Sequence, residues 1–348
     1  MHDALPLPIT DPCPVGDAPR NALERACMPW LHDARDLAFV RLALRASALL
    51  AVWVAALFAA PAWLAWLLAP PYLWLLYARL GGPVMLMVHA IEHRAAFSGR
   101  GRWLQAWICN ALPLFYGLSP FVYRPHHLVM HHAEENRPSD LSSTLAYRRD
   151  SPGAFLGYWL RFVVLGNIEL ARYLRARGRR RDLWRFVAGE AAHFALIAAA
   201  LLLAPAAACV VLLLPYLLTR FFLMAGNWAQ HAFVDASALD DGVRNATILV
   251  NASHNRRCFN DGYHALHHRR PSLHWADMSA SFQAEWRHYA ERGVIVFAGI
   301  ANNQVVWWRL MRQDYGFLAE HMLDMGVLPA NIEERMALLK QRVRAMPQ

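Results

Sequence analysis

The stretch AAACVVLLLPYLLTRFFLMAGNWAQH, residues 206–231, decides the fold of this chain. A helix needs roughly 20 mainly apolar residues to cross the hydrocarbon core of a bilayer. This stretch meets that requirement and ends in a more polar run, NWAQH, whose last residue is His231. The pattern predicts a membrane span whose last residue, His231, lies at one surface of the bilayer.

Three other apolar stretches are long enough to be spans. Turns without charge, at Pro70–Pro71 and at Pro205, divide the four stretches into two pairs. We therefore predict four spans in two hairpins, each hairpin returning to the side on which it began. The predicted spans are residues 48–69, 72–93, 184–204 and 206–231.

A fifth apolar stretch, residues 104–122, is interrupted by Pro113, Gly117 and Pro120. Non-helical backbone is tolerated at membrane depth only where protein shelters it. We interpret this stretch as a re-entrant or interfacial segment, because a full span would place the histidines before and after it on opposite sides of the membrane.

Composition also favours a membrane protein. The 348 residues are 57% hydrophobic and 18% charged, with a mean hydropathy of +0.18, whereas soluble domains carry about 25% charge. The net charge of +9 includes seven arginines within residues 172–185, directly before a predicted span. Arginines in such a position hold a loop in the cytoplasm. This placement argues against a nucleic-acid surface, and the loop either binds anionic lipid or docks an acidic electron carrier.

The predicted fold class is a mainly α integral membrane protein with a cytoplasmic helical lobe. Residues 1–45 are expected to form a loose cytoplasmic tail and an interfacial helix. Residues 46–233 form the transmembrane region with a cytoplasmic insert, 123–185, and residues 234–348 form the lobe. Within the lobe, residues 294–308 and 332–343 are predicted helices. We expect a bacterial inner-membrane location with both termini in the cytoplasm.

Histidines carry the chemistry of this sequence. HAIEH, HLVMHH and HALHH begin at residues 89, 127 and 264, and each spaces its imidazoles by three or four residues. Side chains at that spacing share one helix face, and neutral imidazoles are good ligands for transition metals. Together with the histidine of NWAQH, nine are candidate metal ligands: His89, His93, His127, His131, His132, His231, His264, His267 and His268.

Ligand type by itself leaves iron, zinc and copper open. A histidine-rich metal transporter is a further possibility, but transporters usually place ionisable ligands near the middle of their spans. Here the clusters lie at the ends of the predicted spans and in the segments that follow them. That position favours a catalytic centre at the membrane surface.

HAIEH, HHLVMHH and YHALHHRRPSLHW resemble the three histidine boxes of the membrane fatty-acid desaturase and hydroxylase superfamily. NWAQH is similar to the additional histidine motif of that superfamily, and the resemblance extends over about residues 48–279. It implies a non-haem di-iron centre, held by the nine histidines, that uses O2 to attack an unactivated C–H bond. His126 and His274 lie outside the matching positions, and we interpret both as supporting or structural residues.

The resemblance implies an O2-dependent di-iron fatty-acid desaturase, an oxidoreductase with two iron ions and O2 as co-substrate. The HxxxHH spacing of the second box is also common in hydroxylases, so hydroxylation of an acyl or alkyl chain remains the alternative. The five cysteines form no CxxC pair, and no glycine-rich dinucleotide fingerprint is present. Electrons are therefore expected from an external ferredoxin, rubredoxin or cytochrome with its reductase.

Polar residues near the boxes are candidates to orient the imidazoles through their second ring nitrogen. Each of them, taken alone, is equally consistent with an ordinary surface position. The candidates are Glu92, Glu134, Asp140, Asp235, Asp261, Asp277, Asn227 and Asn255.

Overall fold

The computed structural model describes Leu5, residues 7–14 and residues 18–346. The chain is mainly helical, with 67% helix and 3% strand, which confirms the mainly α part of the predicted class. It divides into two compact units. Unit 1 comprises the described residues of Met1–Cys13, Met130–Asn167 and Phe221–Gln348, and unit 2 those of Pro14–Val129 and Ile168–Arg220.

Sixteen α-helices and two short strands are found in the described residues. In chain order they are α1 (Ala22–Cys27), α2 (Leu37–Ala59), α3 (Ala62–Trp74), α4 (Gly82–His93), α5 (Arg102–Ala106), α6 (His132–Glu134), α7 (Pro152–Ala176), α8 (Arg180–Leu203), α9 (Pro205–Ala208), α10 (Leu214–Gln230), β1 (Ile248–Val250), α11 (Ser253–Arg257), α12 (His264–Arg269), α13 (Met278–Glu291), β2 (Val296–Ala298), α14 (Asn303–Met311), α15 (Tyr315–Glu320) and α16 (Ile332–Arg342).

Within the part of the chain that the structure describes, five helical stretches, one more than predicted, are long and apolar enough to cross a membrane. The additional one is α7, which lies within the cytoplasmic insert expected from the sequence, residues 123–185. Several of its apolar side chains are exposed, including Val164 at 66%. The five are Ala34–Ala59, Ala62–His93, Pro152–Ala176, Arg180–Leu203 and Pro205–Gln230.

The first apolar hairpin turns at a different place from the predicted one. α2 ends at Ala59, and Pro61 caps the start of α3, whereas Pro70 and Pro71 lie inside α3. Proline usually ends a helix, and for that reason the sequence indicated a turn at Pro70 and Pro71. In an apolar setting, however, neighbouring helices can accommodate proline inside a helix. The helix continues through a π-helical segment, Leu75–Gly81, into α4.

The second apolar hairpin turns as predicted. α8 ends at Leu203 and Pro205 is the first residue of α9, where its missing N–H costs no hydrogen bond. A π-helical segment, Cys209–Leu213, then leads into α10. His231 follows α10 directly, so the span does end in the histidine.

The interrupted apolar stretch around residues 104–122 is a chain of short helices. α5 passes into a π-helical segment, Trp107–Ala111, and then into a 3-10 helix, Leu112–Tyr116. Gly117 ends it at φ 72°, and a Cβ there would lie 2.2 Å from the Cα of Tyr216. The predicted break is confirmed, and close packing as well as the backbone angle requires glycine at this position.

The prediction of a helix over residues 294–308 is wrong for the first half of that range. Residues 296–298 form β2, which pairs in parallel with β1 so that Ile248 lies opposite Val296. Gly299, at φ 77°, ends the strand, and α14 begins only at Asn303. A short apolar run fits a buried strand and a buried helix equally well. The helix expected over residues 332–343 is confirmed as α16, capped by Asn331.

The two-stranded sheet of unit 1 has a different hydrophobic core on each face. Leu249 and Phe297 pack with the chain around the end of α10, including Ala229 and Ala232. Ile248, Val250 and Val296 point to the other face and pack with Ala265 and Leu266 of α12. Because successive strand residues alternate between faces, this small sheet holds two histidine-bearing segments in fixed positions.

A buried arginine joins three segments of unit 1. Arg149 is fully buried, and its guanidinium donates hydrogen bonds to the carbonyl of Ala232, to three carbonyls between Thr144 and Tyr147, and to those of Arg342 and Arg344. A planar guanidinium offers five N–H donors in a rigid fork. Arg149 therefore connects the segment after the second histidine box, the end of α10 and the end of α16.

Replacing Arg149 by lysine should lower the free energy of unfolding by at least about 3 kcal/mol, because an ammonium group cannot reach the same carbonyls and leaves buried acceptors unsatisfied. Chemical denaturation of the purified protein in detergent measures the effect. Arg148→Lys is the matched control, since Arg148 is 63% exposed beside Asp150 and should change stability by less than about 1 kcal/mol. Equal effects of the two substitutions would contradict the assignment.

Candidate metal centre

His131 is held in one orientation by a buried carboxylate. It ends a π-helical segment, Pro125–His131, and its Nδ1 lies 2.8 Å from Oδ2 of Asp140. The same carboxylate accepts hydrogen bonds from the backbone N–H of Asn136 and from the N–H and hydroxyl of Ser142. A carboxylate can only accept, so Nδ1 of His131 carries a proton and the ring can bind a metal only through Nε2.

The charge on Asp140 is stabilised although the residue is buried. Burial by itself would raise the pKa of its carboxyl group. The positive charge that His131 can carry, together with the hydrogen bonds from His131 and Ser142, outweighs burial and lowers the pKa to about 2. Asp140 is therefore an anion at neutral pH and a permanent acceptor for His131.

His231 is oriented by backbone hydrogen bonds. Its Nδ1 lies 3.2 Å from the carbonyl oxygen of Asn245, so Nδ1 donates and Nε2 keeps its lone pair. The carbonyl of His231 itself accepts a hydrogen bond of 2.7 Å from the hydroxyl of Thr144. Burial, with a contribution from nearby His131, lowers the pKa of His231 to about 3. The imidazole is therefore neutral at physiological pH, the form that binds metals.

α12 contributes two more imidazoles to the same place. The Nε2 atom of His264 lies 3.0 Å from Nε2 of His231 and 3.0 Å from Nε2 of His268. His131 completes the group: one ring nitrogen from each of the four side chains lies within 4.8 Å of the others, and all four residues are buried. Burial is the main cause that lowers the pKa of His268 well below its usual value.

This group, His131, His231, His264 and His268, is the four-histidine site, and its atoms fit a metal ion. Nε2 of His264 faces the Nε2 atoms of both His231 and His268. A neutral imidazole has one N–H, so His264 can donate a hydrogen bond to only one of those two nitrogens. A cation would accept the lone pairs of all of them. Ligand nitrogens about 2.1 Å from one ion and at right angles lie about 3.0 Å apart, the separation found here.

The other five candidate ligands form two smaller groups, one in each unit. In unit 2, the rings of His89, His93 and His127 have centroids 4.5–5.0 Å apart. In unit 1, Nε2 of His132 lies 3.0 Å from Nε2 of His267. That all nine histidines serve a single centre stays a prediction.

Comparison with known families decides the identity. The sequence model of the fatty acid desaturases matches residues 84–299, which is more than half of the chain and includes all nine histidines. This chain belongs to the fatty acid desaturase family. No curated protein and no solved structure matches it at a significant level. Members of the family are generally oxidoreductases with metal-binding histidine boxes, and the four-histidine site contains members of the second and third boxes.

The supporting residues suggested by the sequence have different contacts in this member of the fatty acid desaturase family. Asp140 contacts His131, a candidate ligand, directly, as described above. Asn227 donates hydrogen bonds to the carbonyl of Ser142 and to the hydroxyl of Tyr158, and so holds the loop that carries Asp140. The side-chain amide of Asn255 donates a hydrogen bond to the carbonyl of Leu249 and accepts one from the N–H of Gly262, so it holds the turn before α12 in place.

The remaining candidate acids have contacts elsewhere. Asp235 pairs with Arg244 and Arg342, and Asp261 lies 3.7 Å from His254, which is not a candidate ligand. Glu134 accepts from Ser139, Glu92 lies 3.6 Å from Arg124, and Asp277 begins α13. His274 caps a short helix by accepting from the N–H of Ala276, which supports its structural interpretation, whereas His126 lies beside His127 in the π-helical segment.

An N-terminal strap, residues 8–12, was not anticipated by the sequence analysis, and the expectation of a loose tail is wrong for these residues. Oδ2 of Asp11 accepts hydrogen bonds of 2.7 Å from the N–H of Asn251 and from the hydroxyl of Tyr263. Asn251 and Asn260 also donate to the carbonyls of Pro8 and Pro12. Tyr263 directly precedes α12, so the strap is tied to the segment that carries the third histidine box.

Asp140→Asn should weaken metal binding about 10- to 100-fold. In the unmodified protein every contact of the Asp140 carboxylate is with a hydrogen-bond donor. An asparagine side chain would place its N–H₂ group against one or more of those donors, so His131 would lose its fixed orientation. Metal content of the purified protein, determined after dialysis against graded chelator, measures the change. Asp240→Asn is the control because Asp240 is exposed; unchanged metal retention in the Asp140 variant would remove that residue from the site.

Asp11 and Tyr263 should show an interaction energy of about 1.5–3 kcal/mol in a double-mutant cycle, as expected for a buried hydrogen bond to a charged group. The cycle combines Asp11→Asn with Tyr263→Phe and measures the free energy of unfolding in detergent. Additive effects would show that the contact stabilises nothing. Thr10→Ala, at an exposed contact with Asn251, should have a smaller effect.

Proposed function

We propose that this protein is an O2-dependent di-iron desaturase that introduces a double bond into the acyl chain of a fatty acid or related lipid. The observation that carries the proposal is the four-histidine site, a buried group of imidazoles whose ring nitrogens lie within 4.8 Å of one another in a chain of the fatty acid desaturase family. We assign the two irons to the nine box histidines together. Iron supplies the one-electron chemistry by which O2 attacks an unactivated C–H bond.

The protein's own contribution begins with orientation. Asp140 and the carbonyl of Asn245 each hold the Nδ1 proton of a ligand, so that the Nε2 atoms of His131 and His231 face the site. Ligands held in this way do not need to reorganise when a metal binds or changes its oxidation state. The buried packing around them also limits the access of water, which protects a reactive oxidant from side reactions.

Desaturation balances without any further cofactor in this chain. Two C–H bonds break and one C=C bond forms, while O2, two electrons and two protons yield two molecules of water. The substrate supplies two of the four electrons that O2 takes up. The other two come from outside, and we assign them to a ferredoxin, rubredoxin or cytochrome with its reductase.

Hydroxylation is the alternative, favoured by the HxxxHH spacing of His127, His131 and His132. There one C–H bond becomes C–OH, and a single molecule of water is released. The same ligands serve both reactions, because the outcome depends on how the chain lies against the metals. The five apolar helices suggest a membrane location and suit a lipid substrate; we propose the bacterial inner membrane, with the site and both termini cytoplasmic.

His267→Ala should abolish turnover and lower the iron content while the protein still inserts into the membrane. His288→Ala is the matched control, because His288 lies on α13 beside Arg292 and outside the histidine boxes. Oxygen consumption with a reduced electron carrier, and iron content by elemental analysis, provide the two measurements. Normal turnover by the His267 variant would exclude it from the ligand set.

The product distinguishes the candidate reactions. In lipids of an expressing host grown in air, desaturation lowers the mass of an acyl chain by two hydrogens, whereas hydroxylation adds one oxygen that carries the label when ¹⁸O2 is supplied. Purified protein that contains zinc and consumes no O2 with any reductant would contradict both reactions. A metal transporter, the remaining alternative, would then explain the histidines.

A further inference from the structure

The turn between α7 and α8 carries the strongest local concentration of charge in the sequence. α7 ends at Ala176 and α8 begins at Arg180. Residues 172–185 include seven arginines and a single acid, Asp182, which leaves a net charge of +6. We call this segment the arginine turn; its arginines are Arg172, Arg175, Arg177, Arg179, Arg180, Arg181 and Arg185.

The arginine turn lies on the surface of the protein. All seven arginines are exposed. Asp182 lies 3.7 Å from Arg179, and the guanidinium of Arg177 lies over the ring of Tyr173 at 5.2 Å. One aspartate cannot neutralise seven cations, so the turn presents a strongly positive surface that attracts anions.

The surroundings of the arginine turn match the edge of a bilayer. Both helices that it joins are apolar enough to span a membrane. On those helices, Ile168 and Val187 are 50% and 39% exposed, and Trp184, between the arginines and the apolar surface, is 69% exposed. Tryptophan is enriched at the level of lipid headgroups because its ring is apolar and its N–H is polar.

We propose that the arginine turn binds the phosphodiester headgroups of anionic phospholipids. A guanidinium fork can donate two parallel hydrogen bonds to a phosphate, which adds geometry to charge attraction. The apolar side chains that border the turn would contact the acyl chains of the same lipids, and Trp184 would lie at the boundary between the two regions. An acidic electron carrier would match the charge but would leave this apolar border without a partner.

Titration of detergent-solubilised, purified protein with labelled phosphatidylglycerol tests the proposal, with phosphatidylcholine as the neutral lipid. The unmodified protein should bind phosphatidylglycerol more tightly, and the preference should decrease as salt is raised. Replacing Arg177, Arg179, Arg180 and Arg181 by glutamine should weaken phosphatidylglycerol binding at least about tenfold, since each arginine near an anionic surface contributes appreciably. Binding of phosphatidylcholine should not change.

Four exposed arginines elsewhere provide a control with the same loss of charge: Arg256, Arg257, Arg287 and Arg312, all replaced by glutamine. This variant should retain its affinity for phosphatidylglycerol. Equal losses in the two variants would assign the binding to overall charge and overturn the proposal. Unchanged phosphatidylglycerol binding by the arginine-turn variant would also overturn the proposal. If that variant instead accepted electrons from an acidic carrier more slowly, the turn would be a docking site for the carrier.

Loss of positive charge beside a span can also disturb insertion. A second variant therefore replaces the same four arginines by lysine, which keeps the charge but removes the guanidinium fork. It should insert normally and bind phosphatidylglycerol a few-fold more weakly than the unmodified protein. No change in affinity would show that the fork has no role and would contradict headgroup recognition. Neither titration needs metal or turnover, so their results are independent of the proposed oxidase activity.

Discussion

A hydrogen bond from one ring nitrogen of a buried imidazole to an acceptor fixes the orientation of the ring, and with it the direction in which the other nitrogen can bind a metal. In this protein the arrangement of the four-histidine site depends on two such hydrogen bonds. Asp140 receives the Nδ1 proton of His131, and the carbonyl of Asn245 receives that of His231. Both acceptors lie on irregular segments. The position of those segments therefore decides which ring nitrogen of His131 and of His231 can bind a metal.

The packing of unit 1 supplies that position. The two-stranded sheet has the end of α10 packed on one face and α12 on the other, so the segments next to His231 and His264 are both anchored to one rigid element. Arg149 joins the end of α10 to the segment that follows the second histidine box, and Thr144 in that segment bonds to the carbonyl of His231. The N-terminal strap holds Tyr263, next to α12. Polar contacts of this kind stabilise a buried site because an unsatisfied partner would be costly.

The differences between expectation and structure have local causes. Pro70 and Pro71 indicated a turn, yet α3 continues through them, because proline weakens a helix without always ending it in an apolar setting. Residues 294–298 have no periodicity that separates strand from helix, and only pairing with β1 decided the matter. α7 lies within the expected cytoplasmic insert, yet it has the length and apolar composition of a span.

The sequence by itself determined the helical class, the long apolar stretches and the histidine boxes, and through the boxes the family. These features are local: span length depends on consecutive residues, and histidines three or four positions apart share a helix face. Only the tertiary structure decided that Asp140 and Asn245 orient two of the candidate ligands, that Arg149 joins three segments and that Asp11, 252 positions away in the sequence, contacts Tyr263. The sequence does not distinguish an acidic residue that faces solvent from one that contacts an imidazole, because a long-range hydrogen bond produces no periodic pattern along the chain.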